Sequence, residues 1–332
     1  MTRALVIGAT GHIGAHVVRA LISKGYAVRA SYRNPRYRFL LDELPVEPVQ
    51  LDMEEPAPLQ RALDSCESVF VCAGYYPSFT ERRAQAIQRG VEQIRRVCEA
   101  LQASRAKRTV YTSSAATIAP VSGREATEAD RELWPLTHWR PLYAAVKIAM
   151  ERTVEHYANE GLPVVIVNPS VCIGEYDVRP FSGRLVLLFA KKTRRLPVYL
   201  ETHFNAVYTG DVGLGHVLAA ERGVVGRRYL LTGENLTLGE FATRVAQAAH
   251  VPPPRWRIPY PLAMVAATMT ELAAAITRTE PLLPRGVVHQ ARLPQRLDGS
   301  AARRELGMPQ TPMPIEEAIR NAVAWFGQHG YL

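Results

Sequence analysis

Short, unbroken apolar runs alternate along the first half of the chain with longer stretches whose apolar residues recur every three or four positions. Residues 4–7 are all apolar and partly β-branched, which predicts a strand buried on both faces of a parallel sheet. Val17, Val18, Leu21 and Ile22 follow at helical spacing. The alternation then repeats, with further strands predicted at residues 26–32, 46–51, 69–74, 108–114, 163–167 and 227–232, and helices at 56–63, 80–103 and 141–159. Strands that alternate with helices indicate a doubly wound parallel α/β sheet of the Rossmann type.

The pattern changes after residue 174, where Arg-rich and Pro-rich segments interrupt it. Residues 205–212 again resemble a strand followed by a helix, and residues 237–332 are mostly helical in pattern with proline-rich loops. We therefore predict a Rossmann domain over residues 1–173, to which residues 204–232 return, and a smaller, mostly helical substrate lobe over residues 174–332. Within that lobe residues 260–276 are apolar, which fits either the roof of an apolar pocket or a plain core helix.

The composition is that of an ordinary globular enzyme, with 332 residues and 47% hydrophobic content. No run approaches 18 apolar residues, so no membrane-spanning helix is expected. The N-terminus leads directly into the first strand, so we expect no signal peptide. Cys66, Cys72, Cys98 and Cys172 show no C-x-x-C pairing, which suits reduced thiols in a cytoplasmic protein.

The net charge of +9 comes mostly from arginine, and the single dense basic run is residues 191–195. That run lacks the motifs that accompany nucleic-acid binding, so a basic surface without a nucleic-acid partner is the favoured interpretation. The nine histidines form no convincing ligand set. His12 and His16 are four apart, but no glutamate lies between them as in H-E-x-x-H, so we expect no metal.

Three glycines, Gly8, Gly11 and Gly14, separate the first strand from the first helix. A strand, a glycine turn and a helix in this order bring backbone N–H groups and the positive end of a helix dipole to one point, where a pyrophosphate can bind. The sequence therefore predicts a dinucleotide site. Its expected cofactor contacts in this turn are Gly8, Thr10, Gly11, His12, Ile13 and Gly14.

The residues after the second strand indicate which dinucleotide is bound. No Asp or Glu occurs between Gly14 and Asp42 that could accept hydrogen bonds from an adenosine ribose. Arg33 follows the strand and is our candidate for pairing with the 2′-phosphate of NADP. Arg29, Ser31 or Arg36 would support it, although a solvated arginine cluster is the alternative. NADP(H) is thus preferred, with NAD(H) possible.

Two later segments carry the candidate chemistry. Residues 108–114 form a strand that ends in the hydroxyls of Ser113 and Ser114, and Tyr143 and Lys147 lie four apart on one face of a predicted helix. The glycine turn, the serine pair and Tyr-x-x-x-Lys occur in the order and at the distances of an extended short-chain dehydrogenase/reductase, of the NAD-dependent epimerase/dehydratase superfamily, which the whole chain resembles. Within it the chain looks most like dihydroflavonol-reductase-like and hopanoid-associated epimerase-like proteins.

The resemblance implies a catalytic trio of Ser114, Tyr143 and Lys147. A phenol has a pKa of about 10, and an adjacent ammonium favours the phenolate, so Lys147 would poise Tyr143 for proton transfer and also hold the nicotinamide ribose. The Ser114 hydroxyl would hold the substrate oxygen while the nicotinamide exchanges hydride. The alternative for Ser113 and Ser114 is that they cap a turn.

The resemblance also assigns cofactor and substrate positions outside these motifs. Asp52 and Met53 would lie against the adenine, the backbone of Ala73 and Gly74 would approach the cofactor closely, and Pro169 and Val171 would flank the nicotinamide. Tyr143 and Lys147 would contact the cofactor too. The candidate substrate contacts are Tyr75, Tyr76, Ala115 and Asn205, with surface tyrosines as the alternative for the first two.

Some positions depart from the family pattern. Ile87 occupies the place of an asparagine in the family's V-N-x-x-G-T, and Val91 replaces its threonine. Asn168 and Ile173 stand where R-P-x-x-x-Y-G is usual. The first of these departures removes a polar group from near the expected cofactor.

The favoured function is NADPH-dependent reduction of a ketone or aldehyde on an apolar small molecule to an alcohol. The alternative is an NAD-dependent sugar-nucleotide epimerase or dehydratase, in which Arg179, Arg184 and residues 191–195 would bind a diphosphate. A redox-sensing regulatory protein is a third class, which the Tyr/Lys pair disfavours. By analogy with the family, residues 80–103 and 141–159 would form a homodimer.

Overall fold

The computed structural model describes residues 2–78, 81–133, 141–191, 198–277, 279, 281, 283–293 and 295–332. The strands are β1 (Arg3–Ile7), β2 (Ala27–Tyr32), β3 (Val46–Gln50), β4 (Ser68–Val71), β5 (Arg108–Thr112), β6 (Val164–Pro169), β7 (Val171–Ile173), β8 (Val198–Tyr199), β9 (His203–Tyr208), β10 (Arg228–Leu231), β11 (Glu234–Thr237) and β12 (Trp256–Arg257). The α-helices are α1 (His12–Ser23), α2 (Pro56–Leu63), α3 (Arg83–Gln102), α4 (Leu142–Asn159), α5 (Gly183–Ala190), α6 (Thr209–Arg222), α7 (Leu238–Ala248), α8 (Tyr260–Thr277), α9 (Arg285–Ala291) and α10 (Ile315–Gln328).

Seven of the strands form one parallel sheet in the order β10-β6-β5-β4-β1-β2-β3. Both of its faces are buried, as the apolar runs predict. In β1, Ala4 and Val6 pack into a core with α1 and α6, whereas Leu5 and Ile7 pack into a second core with α2, α3 and α4. The Rossmann prediction is confirmed, and α3 begins at Arg83 with Arg82 as its N-cap, slightly later than the predicted start at residue 80, which lies outside the described residues.

The strand order places a crevice next to the glycine turn. β1 lies between β2 and β4, so the chain runs outward on one side of β1 and then crosses to the other side. In parallel sheets ligands bind outside the carboxyl ends of the strands at such a reversal. The glycine turn after β1, the segment after β4 and the serines after β5 therefore share one edge of the sheet.

The second part of the chain is less helical than the sequence pattern indicates. A three-stranded sheet in the order β11-β9-β7 packs with α5, α7 and α10, and β8 and β12 form a separate two-stranded sheet. Residues 203–208 belong to the three-stranded sheet, while α6 and β10 return to the large sheet. Phe189, Phe204, Phe241 and Phe326 are among the buried residues of this lobe's own core.

Helix α8 does not match one of the two roles considered for residues 260–276, that of a plain core helix. Ala263, Ala267 and Ala274 are buried, but Leu262, Val265, Met269, Leu272 and Ile276 are exposed, so it is not a plain core helix. By length and composition alone, α8 is long and apolar enough to cross a membrane. One such helix is weak evidence for a membrane span. The search for an unbroken run of 18 apolar residues does not find α8, because threonines and Glu271 interrupt its apolar residues.

The four cysteines are all free thiols. Cys66, Cys98 and Cys172 are buried, and Cys72 is half-buried. This arrangement agrees with the expectation of reduced thiols that pack as small apolar residues.

Candidate active site

The glycine turn is fixed by close backbone approaches. Gly8 has φ +86°, and a Cβ at this position would lie 2.8 Å from the Cβ of Ala73, which follows β4. A Cβ at Gly14 would lie 2.1 Å from the carbonyl oxygen of Gly8. The Gly11 amide donates to that same carbonyl at 3.0 Å. Side chains are therefore excluded from this turn, so that its backbone stays open toward the edge of the sheet.

The N-terminus of α1 fits a bound phosphate. Gly11 is its N-cap and supplies no side-chain cap, and no acidic residue lies in the first turn. The first N–H groups of a helix lack intrahelical acceptors, so those of His12, Ile13 and Gly14 are available to an anion. The structure thus brings the predicted pyrophosphate-binding backbone together at the edge of the sheet.

His12, which is partly buried, and His16, which is buried, belong to one cluster of side chains at the start of α1. His12 Nε2 lies 2.9 Å from Thr209 Oγ1, and His16 Nε2 lies 3.2 Å from the Glu175 carbonyl oxygen. Burial lowers the pKa of His12, against the raising effect of Asp177, and burial lowers the pKa of His16 to about 3. Both rings are therefore neutral at pH 7. Within the part of the chain that the structure describes, no group of three or more His, Cys, Asp or Glu side chains is placed to hold a metal ion.

The arginines proposed for the 2′-phosphate separate into two groups. Arg33 and Arg36 are exposed at the carboxyl end of β2, beside the glycine turn. Arg29 is instead held by the Ala62 and Asp64 carbonyls, each at 2.9 Å, at the end of α2. The supporting role considered for Arg29 is therefore wrong, because its guanidinium lies at another edge of the sheet.

The supporting role at the 2′-phosphate that was considered for Ser31 is also wrong. Its side chain is 2% exposed, and its Oγ accepts from the Gly8 amide at 3.0 Å. Its carbonyl accepts from the Ala9 amide at 2.9 Å. Ser31 thus anchors the glycine turn from β2 instead of facing a phosphate.

The remaining cofactor candidates lie where the sheet topology requires. Half-buried Asp52 and Met53 follow β3, and the Ala73 amide donates to the Ile7 carbonyl at 3.0 Å. Pro169 ends β6, and Val171 begins β7. These residues approach the same edge as the glycine turn, and their contacts with a cofactor stay predictions.

Tyr143, Lys147 and Ser114 are brought together at this edge. The Tyr143 hydroxyl faces the side chains of Ser114 and Tyr76, both of which lower its pKa. Lys147, one turn further along α4, is 3% exposed, and its Nζ lies 6.0 Å from the centre of the Tyr143 ring. A Cβ at Gly74 would lie 3.2 Å from that Nζ, so the glycine after β4 leaves space for the amine. Ser114 also caps a short 3-10 helix, since its Oγ accepts from the Ala116 amide at 3.2 Å.

The protonation of the pair differs from the sequence expectation. Burial raises the pKa of Tyr143, although its hydrogen bonds with Ser114 and Tyr76 lower it. Burial lowers the pKa of Lys147 to about 8, against the raising effect of Glu151. The phenol is therefore protonated at pH 7, and the expected net stabilisation of its phenolate is wrong for this structure because removal from water dominates.

Glu151 is a functional candidate that the sequence analysis missed. Its side chain is fully buried one turn beyond Lys147, and its Oε2 accepts from the Ser113 hydroxyl, from Thr117 Oγ1 at 3.2 Å and from Asn168 Nδ2 at 2.7 Å. Its Oε1 faces arginines, with Arg131 Nε at 3.2 Å and Arg228 Nε at 3.7 Å. The sequence did offer one signal for Glu151: it lies four residues after Lys147, which places both side chains on the same face of the helix.

Asn168 explains one departure from the family pattern. Its side chain is fully buried and donates to Thr117 Oγ1 at 3.0 Å and to the Ser114 carbonyl at 3.2 Å, as well as to Glu151. The amide thus links the end of β6 to the segment that carries Ser114. The two neighbouring serines have different partners. The Ser113 hydroxyl donates to Glu151, and the Ser114 hydroxyl faces Tyr143.

An aromatic cluster covers Tyr143. The Tyr76 ring stacks on it at a centroid distance of 5.4 Å, and Phe181 lies 5.2 Å from Tyr143 and 5.0 Å from Tyr76. Tyr76 and Phe181 are about half exposed. Tyr75 diverges from this cluster, since its hydroxyl donates to Glu81. Phe181 lies in no motif, so nothing in the sequence identified it.

The other two substrate candidates, Asn205 and Ala115, are buried and contact other residues of the chain. The Asn205 side chain is 2% exposed, donates to Asn235 Oδ1 at 2.9 Å and accepts from the Gly233 amide at 3.0 Å. It therefore joins β9 to β11, and its candidacy as a substrate contact is wrong. Ala115 is 4% exposed and packs into a small core with Ile118 and Leu230.

The chain is similar to proteins of one large family. The family model described as the NAD dependent epimerase/dehydratase family matches residues 4–231. A protein of Synechocystis named as a dihydroflavonol 4-reductase is 32% identical over 98% of this chain and 95% of the relative. Sterol demethylase protein B of Methylococcus capsulatus is 33% identical over 99% of both chains. The crystal structure of a nucleoside-diphosphate-sugar epimerase from Pseudomonas aeruginosa superposes with a TM-score of 0.79, at 26% identity over 100% of this chain and 99% of that one.

Proposed function

The chain belongs to the NAD dependent epimerase/dehydratase family of extended short-chain dehydrogenases/reductases, and from this premise we propose that it is an NADPH-dependent reductase of a ketone or aldehyde on an apolar small molecule. The family binds a nicotinamide cofactor, and the open glycine turn fits one. The proposal selects the cofactor, the reaction and the substrate class within that family.

One observation carries the reaction type. The Tyr143 hydroxyl faces the Ser114 side chain at the edge of the sheet where the glycine turn lies, one helical turn from the buried Lys147. Two hydroxyls that meet in this way can both donate to one carbonyl oxygen, which binds that oxygen and orients its carbon. The nicotinamide supplies the hydride when it is bound.

The protonation states support the direction of reduction. Because burial raises the pKa of Tyr143, its hydroxyl holds the proton that a newly formed alkoxide must receive. Lys147, with a pKa of about 8, is mostly charged at pH 7, and its ammonium stabilises the phenolate that remains after the proton is transferred. The buried carboxylate of Glu151 keeps that charge in place.

The aromatic cluster and the relatives support an apolar substrate. The half-exposed rings of Tyr76 and Phe181 flank Tyr143 and offer flat apolar surface. The names of two full-length relatives refer to a dihydroflavonol and to a sterol, which are both fused-ring molecules. We therefore place a ring-bearing ketone against these side chains.

Arg33 and Arg36 support the NADP preference, since both are exposed beside the end of β2 and no carboxylate follows that strand at once. A fluorescence titration with NADPH and NADH tests this point. We expect the Arg33→Gln variant to lose about tenfold in NADPH affinity and to keep its NADH affinity. Arg38→Gln is the matched control and should change neither affinity, because Arg38 lies in the 3-10 helix that follows (Pro35–Leu40) and pairs with Asp42. Retained NAD in the purified protein would instead favour the sugar-nucleotide epimerase alternative.

Replacement of Tyr143 tests the reaction itself. NADPH oxidation with a dihydroflavonol and with a 3-ketosteroid is the assay, and we expect Tyr143→Phe to reduce the rate at least about 100-fold with unchanged NADPH binding. Tyr157→Phe, on the same helix but away from the site, should keep the rate of the parent protein. Full activity in Tyr143→Phe would overturn the proposal.

The assembly and the compartment stay predictions. We propose a homodimer through α3 and α4, which pack closely on each other because Gly90 leaves space for Val146 and Met150. A cytoplasmic location is expected from the free thiols. Sedimentation velocity at several protein concentrations checks the dimer.

A further inference from the structure

The solvent-facing side of α8 is apolar along its whole length. Leu262, Val265, Met269, Leu272 and Ile276 are between 56% and 84% exposed. Ala266 and Ala273 are exposed between them. These residues form one continuous stripe at intervals of three and four, which we call the apolar face of α8.

The orientation of the helix is fixed by its inner side. Ala263 and Ala267 are buried against Val288 of α9. Thr270 Oγ1 donates to the Leu283 carbonyl at 2.8 Å, and Glu271 pairs with Arg285 at 2.6 Å. The polar residues of the central turns therefore contact the segment at residues 283–285, and the large apolar residues on the opposite side of α8 face solvent.

The chain segment that carries this face is basic. Residues 251–297 contain six arginines and two glutamates, with no lysine or aspartate. Trp256 is 64% exposed, and Arg255 and Arg257 on either side of it are exposed too. The Arg292 guanidinium stacks on the Tyr260 ring at 4.7 Å, at the start of α8. A tryptophan between arginines is typical of side chains at the boundary between lipid headgroups and acyl chains.

We propose that the apolar face of α8 lies in the interface of a membrane with anionic headgroups, parallel to its surface. The apolar residues enter the acyl boundary, and the arginines bind the headgroups. The helix does not span the membrane, because 18 residues rise about 27 Å and one side stays packed on α9. The proposal does not depend on the reductase assignment.

Charge favours a membrane over a second copy of the chain. Self-association through this face would bring two arginine-rich segments together, and like charges oppose such contact. An anionic surface is complementary to the same segments. A membrane therefore satisfies both the apolar and the basic part of this region.

Flotation with lipid vesicles tests the proposal on the full chain. Vesicles of phosphatidylcholine containing phosphatidylglycerol should carry the protein upward, and pure phosphatidylcholine vesicles should bind it less. The Met269→Gln/Leu272→Gln variant should bind the anionic vesicles at least about tenfold more weakly. Val224→Gln/Val225→Gln replaces exposed apolar residues elsewhere and should bind like the parent protein.

The charge contribution has its own variant. Arg255→Gln/Arg257→Gln should weaken binding to anionic vesicles by about tenfold and reduce its dependence on salt. Absence of vesicle binding by the parent protein, or equal binding by the α8 variant, would overturn the proposal. So would a parent dimer in sedimentation that the α8 variant converts to a monomer, because a second copy would then cover the face. NADPH oxidation with a water-dissolved substrate should be unaffected by either variant, which separates this result from the reductase proposal.

Discussion

The carboxyl edge of the large sheet and the surface of α8 differ in which side chains they bury and which they expose. At the sheet edge, Glu151 and Asn168 are fully buried and bind each other. On α8, Leu272 and Ile276 are exposed, while Glu271 pairs with Arg285 of the neighbouring helix. The first region buries polar groups within the chain, and the second presents apolar groups outward.

The difference indicates where each region obtains its partners. Buried polar groups are tolerated when hydrogen bonds and charges satisfy them, and Glu151 Oε2 and Asn168 Nδ2 find such partners within the chain. An exposed apolar stripe gains nothing from folding and gains from a surface outside the protein. The free energy of unfolding should therefore depend strongly on the first region and weakly on the second.

Removal of the buried carboxylate should have the largest effect. We expect Glu151→Ala to lower the free energy of unfolding by about 4 kcal/mol, because the buried donors Ser113, Thr117 and Asn168 lose their acceptor and the two nearby arginines keep, among the described residues, only Glu155 as a carboxylate partner. Urea unfolding measures this. The control is Glu92→Ala, which removes an exposed glutamate that also pairs with two arginines and should change stability far less. Equal effects would contradict the comparison.

Addition of a methyl group at the glycine turn comes next. Gly14→Ala should cost about 3 kcal/mol, since its Cβ would lie 2.1 Å from the Gly8 carbonyl oxygen. It should also abolish NADPH binding in a fluorescence titration. Gly286→Ala in α9 is the matched control, because its Cβ meets no atom within 4 Å, and it should be neutral or slightly stabilising.

Acid should weaken the sheet region through its buried histidines. Burial lowers the pKa of His216 to about 4, so between that pH and about 6.5 the unfolded chain binds more protons than the folded one. Stability is therefore lost as pH falls through this window, by about 2 kcal/mol for this group between pH 7 and pH 5. Urea unfolding at both pH values measures the loss. His216→Gln should reduce the pH dependence, whereas replacement of the exposed His156 should not.

Substitution of the apolar face of α8 should have the smallest effect. Met269→Gln/Leu272→Gln should change the free energy of unfolding by no more than about 0.5 kcal/mol, since both side chains are exposed. Thermal and urea unfolding check this. Leu21→Ala in α1, where the side chain is fully buried, should cost about 3 kcal/mol in the same assay. A large loss in the α8 variant would show that the face packs within the protein.

The sequence by itself determined the features that depend on residues close together in the chain. Apolar runs predicted the central strands of the large sheet, because a strand buried on both faces needs an unbroken run. The glycine turn and the Tyr143/Lys147 pair were equally readable, since a strand–turn–helix and a spacing of four fix their geometry locally. The residues of these motifs lie together at one edge of the sheet, and their roles stay predictions.

Only the tertiary structure decided which distant groups meet. It directed Ser113 to Glu151 and Ser114 to Tyr143, and used Ser31 for the glycine turn. It also placed Phe181 beside Tyr143 and turned the large residues of α8 outward. Hydrogen-bond partners, and the side of a helix that is covered, depend on elements far away in the chain, and a single sequence carries no local pattern for them.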